Sequence, residues 1–262
     1  MRWPWSKPTQ VRVPAGYFIS HSYQDAEARE HLLRTLPPAM KPFIFPPITA
    51  RPDQFVSNEL IAAILRCEGL IYLEGGASAN SFWVAFERDY ALRARKPVFA
   101  FDPHSYTLRQ DQSSPLQLRV FPSYSHRDVK RVQRILEFMR HERYFDLWID
   151  SEQIRASDRW ELKLLDGIEQ QLAAGGYLVA FISAASMSTA VITQEWGTAF
   201  ESNPGRVLPA LLDNVPLTGT VATIQALQLY GDRERSEIHR LDDLIVRLYW
   251  LIYRNTRQNG LD

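Results

Sequence analysis

A single cysteine among 262 residues leaves no internal disulfide and no thiolate metal cage. Cys67 is therefore expected to pack within a helix in a reducing compartment. A charge surplus is missing too, because thirty basic and thirty acidic residues cancel. Without a global field to gather phosphates or anionic lipid, neither nucleic acid nor a membrane is expected as a partner. No apolar run approaches the ~20 residues of a bilayer span. The most apolar late segment, Leu244 to Tyr253, is about ten residues and contains Arg247. The amino terminus, M-R-W-P-W-S-K-P-T-Q, has two early prolines and no signal-peptide core. A cytoplasmic location is expected. The patterns G-x-G-x-x-G, G-x-x-x-x-G-K-[ST] and G-x-S-x-G are absent, which argues against a Rossmann fingerprint, a phosphate loop and an α/β serine hydrolase. The six histidines show no ligand spacing, so no metal is expected.

What the chain has is 45% hydrophobic and 12% aromatic residues, ample for folded cores, arranged as one unit written twice. Y-F-I-S-H-S-Y-Q-D at 17–25 aligns with F-P-S-Y-S-H-R-D at 121–128. Phe18, Ser20, Ser22 and Asp25 then fall on Phe121, Ser123, Ser125 and Asp128 at a separation of 103. Leu32, Leu33 and Leu36 fall on Ile135, Leu136 and Met139 at the same separation. Asp53-Gln54-Phe55 meets Asp158-Arg159-Trp160 at 105, and Ser78 and Glu87 meet Ser186 and Glu195 at 108. An offset that grows in predicted loops is the mark of a duplicated domain with small insertions.

Each unit alternates apolar strands with helices, which predicts parallel sheets covered on both faces. The fold class expected is α/β, two flavodoxin-like doubly wound domains in tandem, the first abbreviated. The predicted boundaries are an arm at 1–15, a first domain at 16–103, a polar linker at 104–117 and a second domain at 118–262. Asp25 and Asp128 are expected to cap the helices that follow them.

Three stretches, in order in both copies, resemble the Toll/interleukin-1 receptor (TIR) domain. They are F-I-S-H-S-Y-Q-D with its counterpart, the loop W-I-D-S-E-Q-I-R-A-S-D-R-W-E, and S-F-W-V-A-F-E with its weaker echo V-I-T-Q-E-W. The resemblance implies self-association or pairing with other TIR domains. In many prokaryotic and plant members it also implies cleavage of NAD+ at the nicotinamide–ribose bond, in defence signalling. The family's catalytic glutamate falls on Glu87 and Glu195. The second copy departs from the pattern, with Val191 where the family has tryptophan and Ala156-Ser157 where glycine is usual.

NAD+ is then the substrate, with no further cofactor, and one carboxylate per site is compatible with the reaction. The leaving pyridinium departs as neutral nicotinamide and needs no acid, while a carboxylate stabilises charge on the ribose. Ser20, His21 and Ser22, or Ser123, Tyr124 and Ser125, precede a helix amino terminus that favours phosphate. Phe55, Trp83 or Trp160 offers a face for a flat ring, and Arg155 a fork for phosphate or carboxylate. Hydrolysis and cyclisation both fit, by an enzyme that an unidentified partner activates; the alternative is an adaptor that binds other TIR domains and turns nothing over.

Overall fold

A computed structural model describes residues 16–47, 58–141, 145–148, 170, 172–188, 196–197, 199–217, 226–230 and 237–258. Their contacts form two compact units that part after Ser114.

In the first unit the strands are β1 (Tyr17–Ser20), β2 (Pro42–Phe43), β3 (Gly69–Leu73), β4 (Val98–Asp102) and β5 (Thr107–Gln110). The helices are α1 (Ala26–Thr35), α2 (Asn58–Arg66) and α3 (Phe82–Arg93), with a 3-10 turn at Ser78–Asn80. The sheet order is β2-β1-β3-β4-β5, parallel except for β5, which runs antiparallel to β4. Four strands in the order 2-1-3-4 follow the flavodoxin-like pattern, which places a topological switch between β1 and β3. Ile19, Ile71 and Phe101 are buried against Leu32 of α1. Each such side chain contributes ~2 kcal/mol by leaving water.

In the second unit β6 (Leu118–Ser123), β7 (Phe145–Leu147), β8 (Tyr177–Ile182), β9 (Val207–Leu211) and β10 (Leu227–Gln228) form an all-parallel sheet ordered β10-β9-β8-β6-β7. Read from its other edge, this is the same order, with the switch between β6 and β8. Helix α4 (Val129–His141) buries Val132, Ile135, Leu136 and Met139, the stripe that its spacing predicts. Every residue of β8 is buried, as a central parallel strand requires. A long helix, Glu237–Gln258, buries Leu241, Leu244, Ile245 and Leu248. Among the described residues no helix is long and apolar enough to cross a membrane.

Positions aligned in the sequence pair alike in the two sheets. Phe18 sits beside Leu70 and Phe121 beside Leu178, so the separations of 103 and 108 hold across neighbouring strands. Two expectations change. The polar stretch 104–117 is not plain linker, because Thr107–Gln110 adds β5 to the first sheet. Beyond it, Asp111 accepts from Arg88 Nε at 2.7 Å and from the Tyr72 hydroxyl at 3.2 Å, which ties the stretch to the first unit. That hairpin replaces the fifth parallel strand of the second unit, so the first is shortened by substitution and not by loss of a strand. The apolar run Phe43-Ile44-Phe45 reads as a strand, yet β2 is confined to Pro42–Phe43.

Candidate functional site

Ligands in open α/β sheets bind beyond the carboxyl ends of the strands at the switch point. In the first unit Ser20 is the last residue of β1, and its hydroxyl donates to Glu87 Oε2 at 2.6 Å. Helix α3 begins at Phe82 after Ser81, whose hydroxyl caps Val84 N at 3.4 Å. That start places Glu87 in the second turn, on the face turned to the sheet, where it is only 6% exposed. The residue is thus not a solvated glutamate serving the helix dipole. Burial pushes its carboxyl up to about 8, against the hydrogen bond from Ser20, which lowers it.

Glu87 forms part of the wall of a pocket of about 160 Å³, together with His21, Ser22, Tyr23, Phe45, Pro46, Ser81 and Trp83. The Tyr23 hydroxyl donates to the Phe45 carbonyl at 2.5 Å and so joins the loops after β1 and β2. The His21 ring lies 4.9 Å from that of Tyr23. Burial pushes the His21 imidazole down, the Ile19 carbonyl opposes this, and Arg29 adds to the fall. A buried carboxyl, three aromatic rings and a small concavity are the features of a ligand site.

The loop behind the pocket is held by Asp25. Its carboxylate accepts from Ala77 N at 3.0 Å, Ser78 N at 2.7 Å and Ser78 Oγ at 2.5 Å. Gly76 makes the approach feasible: its φ is +56°, and a Cβ there would stand 2.6 Å from Asp25 Oδ1. Asp25 therefore latches the loop after β3, and its side chain does not cap α1. The amide of Ser22 donates to Ser78 Oγ at 2.8 Å. The phosphate place read from the serines of the first unit is thus partly filled by the protein's own carboxylate and hydroxyls.

The second unit builds the same end of its sheet differently. Ser123, equivalent to Ser20, accepts a hydrogen bond at 3.0 Å from the indole Nε1 of Trp196, which is fully buried. Glu87 and Trp196 each stand eleven residues before the next strand, β4 at Val98 and β9 at Val207. Counted from that side, Trp196 takes the place of Glu87, one residue past the sequence alignment with Glu195. Asp128 accepts from Ser183 Oγ, and Ser183 and Ser186 form a reciprocal capping box, with Ser186 N to Ser183 Oγ at 3.0 Å. Arg131 Nη1 lies 2.9 Å from Asp213 and 3.6 Å from Asp128, while its Nη2 donates to the Leu212 carbonyl at 2.6 Å. The guanidinium thereby clamps α4 to the loop after β9. The corresponding position in the first unit is Ala28.

Residues 120–245 match the family model of the TIR domain. A TIR domain therefore occupies most of the second unit. No curated protein matches the chain. Within this TIR domain Ser125 caps a short 3-10 turn through Arg127 N at 3.3 Å, and Tyr124 is half-buried. Glu195, Arg155 and Trp160 lie outside the described residues, as does Phe55 of the first unit. The structure gathers His21, Ser22, Trp83 and Glu87 around one pocket, with Ser20 bonded to Glu87 behind its wall, and commits Ser123 to Trp196. A larger cavity of about 300 Å³ in the second unit, lined in part by Leu118, Arg119, Asp146 and Tyr177, lies at the amino ends of its strands. That is the end of the sheet away from the switch point.

The sequence pattern missed three participants. Trp196 is adjacent to a residue that was singled out, and only its hydrogen bond to Ser123 reveals it. Asp25 and Arg131 act on groups 52 and 81 residues away, too remote for any local pattern.

Proposed function

We propose that this protein cleaves NAD+ at the nicotinamide–ribose bond, with Glu87 of the first unit as the working carboxylate. The observation that carries the reading is the Ser20-bonded, buried Glu87 at the wall of an aromatic pocket at the β1/β3 switch. The nicotinamide ring is placed among Trp83, Tyr23 and Phe45, with the ribose facing Glu87. The C1′–N bond breaks with its electron pair passing to the pyridinium nitrogen, and neutral nicotinamide leaves. The ionised carboxylate stabilises the ribosyl cation and accepts the proton of the water that captures it, giving ADP-ribose. Where an adenine or ribose atom of the substrate captures the cation instead, the product is cyclic.

A carboxyl titrating at about 8 carries its proton in the empty pocket at neutral pH. The cationic pyridinium favours the ionised form on arrival, so binding and activation are coupled. For the TIR domain of the second unit the reading is association with other TIR domains. The observation favouring this is that its strand-end serine is bonded to an indole, not a carboxylate.

The test is nicotinamide release from NAD+ by the purified full chain over a wide concentration range, beside Glu87→Ala and Glu195→Ala. Release lost with Glu87→Ala and kept with Glu195→Ala is the expected result, and product chromatography then separates hydrolysis from cyclisation. Release kept by folded Glu87→Ala overturns the assignment. Binding to other TIR domains with no release at any concentration supports the adaptor.

A further inference from the structure

Among the described residues, the wall of the Glu87 pocket holds one acid, the rings of Tyr23, Phe45 and Trp83, and no lysine or arginine. His21 is the one member of that wall that gains positive charge by protonation, and its neighbours keep it neutral. A guanidinium has only donors, so Arg29 Nη1, 3.4 Å away, makes His21 Nε2 an acceptor. The hydrogen then sits on Nδ1, which points at the Ile19 carbonyl at 3.4 Å. A second proton would turn an N–H against the guanidinium. Burial also holds the imidazole below its ordinary value; Ile19 and Asp25 oppose this, and Arg29 adds to it. Arg29 itself stands behind the ring, outside the wall, with its Nη2 paired to Glu30 at 3.1 Å. The Asp25 carboxylate is turned to Ala77 and Ser78.

Glu87 has no cation of its own either. Its Oε2 accepts from the Ser20 hydroxyl at 2.6 Å, and no basic side chain among the described residues meets the carboxyl. Ionising it there leaves a buried charge that the protein does not balance. The ligand must supply the balance. Aromatic rings offer a cation their negative faces, so Tyr23, Phe45 and Trp83 favour the same sign of ligand. A volume of about 160 Å³ is on the scale of one substituted ring.

We propose that the Glu87 pocket selects its ligand by charge, as a cage for flat organic cations whose positive nitrogen is fixed by substitution, N-alkylated pyridinium ions being the class that fits. This deepens the reading of the pocket as a nicotinamide site and rests on it for the choice of ring, while binding itself needs no turnover. Because the cation meets the ionised carboxyl, its arrival below pH 8 displaces the Glu87 proton; a neutral ring does not.

The experiment is calorimetric titration of the purified full chain with 1-methylnicotinamide, a permanent cation, and with nicotinamide, its neutral parent, at pH 6.5 and pH 9. Two buffers of different ionisation enthalpy count the protons released. The expected result is that 1-methylnicotinamide binds about tenfold or more tightly at pH 9 than at pH 6.5, and releases about one proton at the lower pH. Nicotinamide should bind more weakly than the cation at pH 9 and show neither effect. In Glu87→Gln the preference for the cation and the proton release should both vanish. Nicotinamide that binds wild type at pH 9 as tightly as the cation, cation binding with no proton release at pH 6.5, or no binding of either ligand overturns the proposal. Charge selection without nicotinamide release from NAD+ leaves the cage standing and removes the cleavage reading. Release without charge selection does the reverse.

Discussion

The two units end their first strands, β1 and β6, on the same serine and then part ways. Ser20 donates to a carboxyl, Glu87, and Ser123 accepts from an indole, Trp196. The first arrangement leaves a pocket lined by rings and one buried acid; the second fills the equivalent place with the largest apolar side chain available. The loops differ in the same sense. In the first, Asp25 latches a turn through Ala77 and Ser78, and the neighbouring position on α1 is Ala28. In the second, Arg131 adds an ion-pair clamp across the crevice. The two units thus share one sheet order, while among the described residues the strand-end serine meets a buried carboxyl in the first and an indole in the second.

The largest test of this contrast is the acid itself. Glu87→Ala is expected to reduce nicotinamide release by about 10²–10³-fold, because charge stabilisation in a dry site is worth ~3–4 kcal/mol. Glu195→Ala is expected to stay within about twofold of wild type. A reversed pattern in the release assay would move the working site to the second unit and break the comparison.

The raised pKa makes a second test, read in pH. If the ionised form of Glu87 acts, as proposed, kcat/KM should climb as pH rises and level off above about 8. Stability should move the other way. The folded state holds the Glu87 proton up to about 8, whereas an unfolded glutamate releases it near 4.5. Stability from the neutral carboxyl is therefore full below about 4.5 and falls as pH rises through 8, by a few kcal/mol. Glu87→Gln should flatten that part of the curve in thermal melts taken from pH 5 to 9. A melt profile identical to wild type would mean that the carboxyl is not buried in solution.

How much of this could be read from the chain follows from where each signal resides. The alternation of strands and helices and the buried stripe of α4 are written in local periodicity, which survives without tertiary information. Glu87 was legible because Ser81 and the apolar residues around it define one helix start. The place of Trp196 was not, because the segment before it carries no period to anchor a one-residue shift; its hydrogen bond to Ser123 supplies what the pattern lacks. Strand β5 escaped for a related reason. T-L-R-Q has a single apolar residue, and what holds it is pairing with β4 and the ion pair of Asp111. Although burial alone would raise the Asp111 carboxyl, the Arg88 guanidinium and Ser113 hold it at about 2. Local polarity looks like linker until that partner is known.

Matched serine substitutions sharpen the contrast at smaller cost. Ser20→Ala removes the hydrogen bond that lowers the Glu87 carboxyl, so the rising limb of the pH–rate profile should shift to higher pH and release at neutral pH fall up to about tenfold. Ser123→Ala leaves the buried Trp196 N–H without its acceptor and should cost ~1–3 kcal/mol of stability in denaturant titrations, with no shift in the pH–rate profile. If both variants moved the profile alike, the serines would share a role and the two crevices would be functionally equivalent.

The smallest effect belongs to the clamp. The Arg131 side chain is 48% exposed, and its ion pairs with Asp128 and Asp213 lie partly in water. Such pairs are worth at most ~1 kcal/mol and weaken with salt. Asp128 keeps its bond from the Ser183 hydroxyl without Arg131, and Asp213 keeps the Ala184 amide at 3.1 Å. Arg131→Ala should therefore lower the melting temperature by only a few degrees in low salt, and by less in high salt. A loss larger than that of Ser123→Ala would reverse the ranking: the second crevice would then be held shut by the guanidinium across its rim, not by the indole packed at its base.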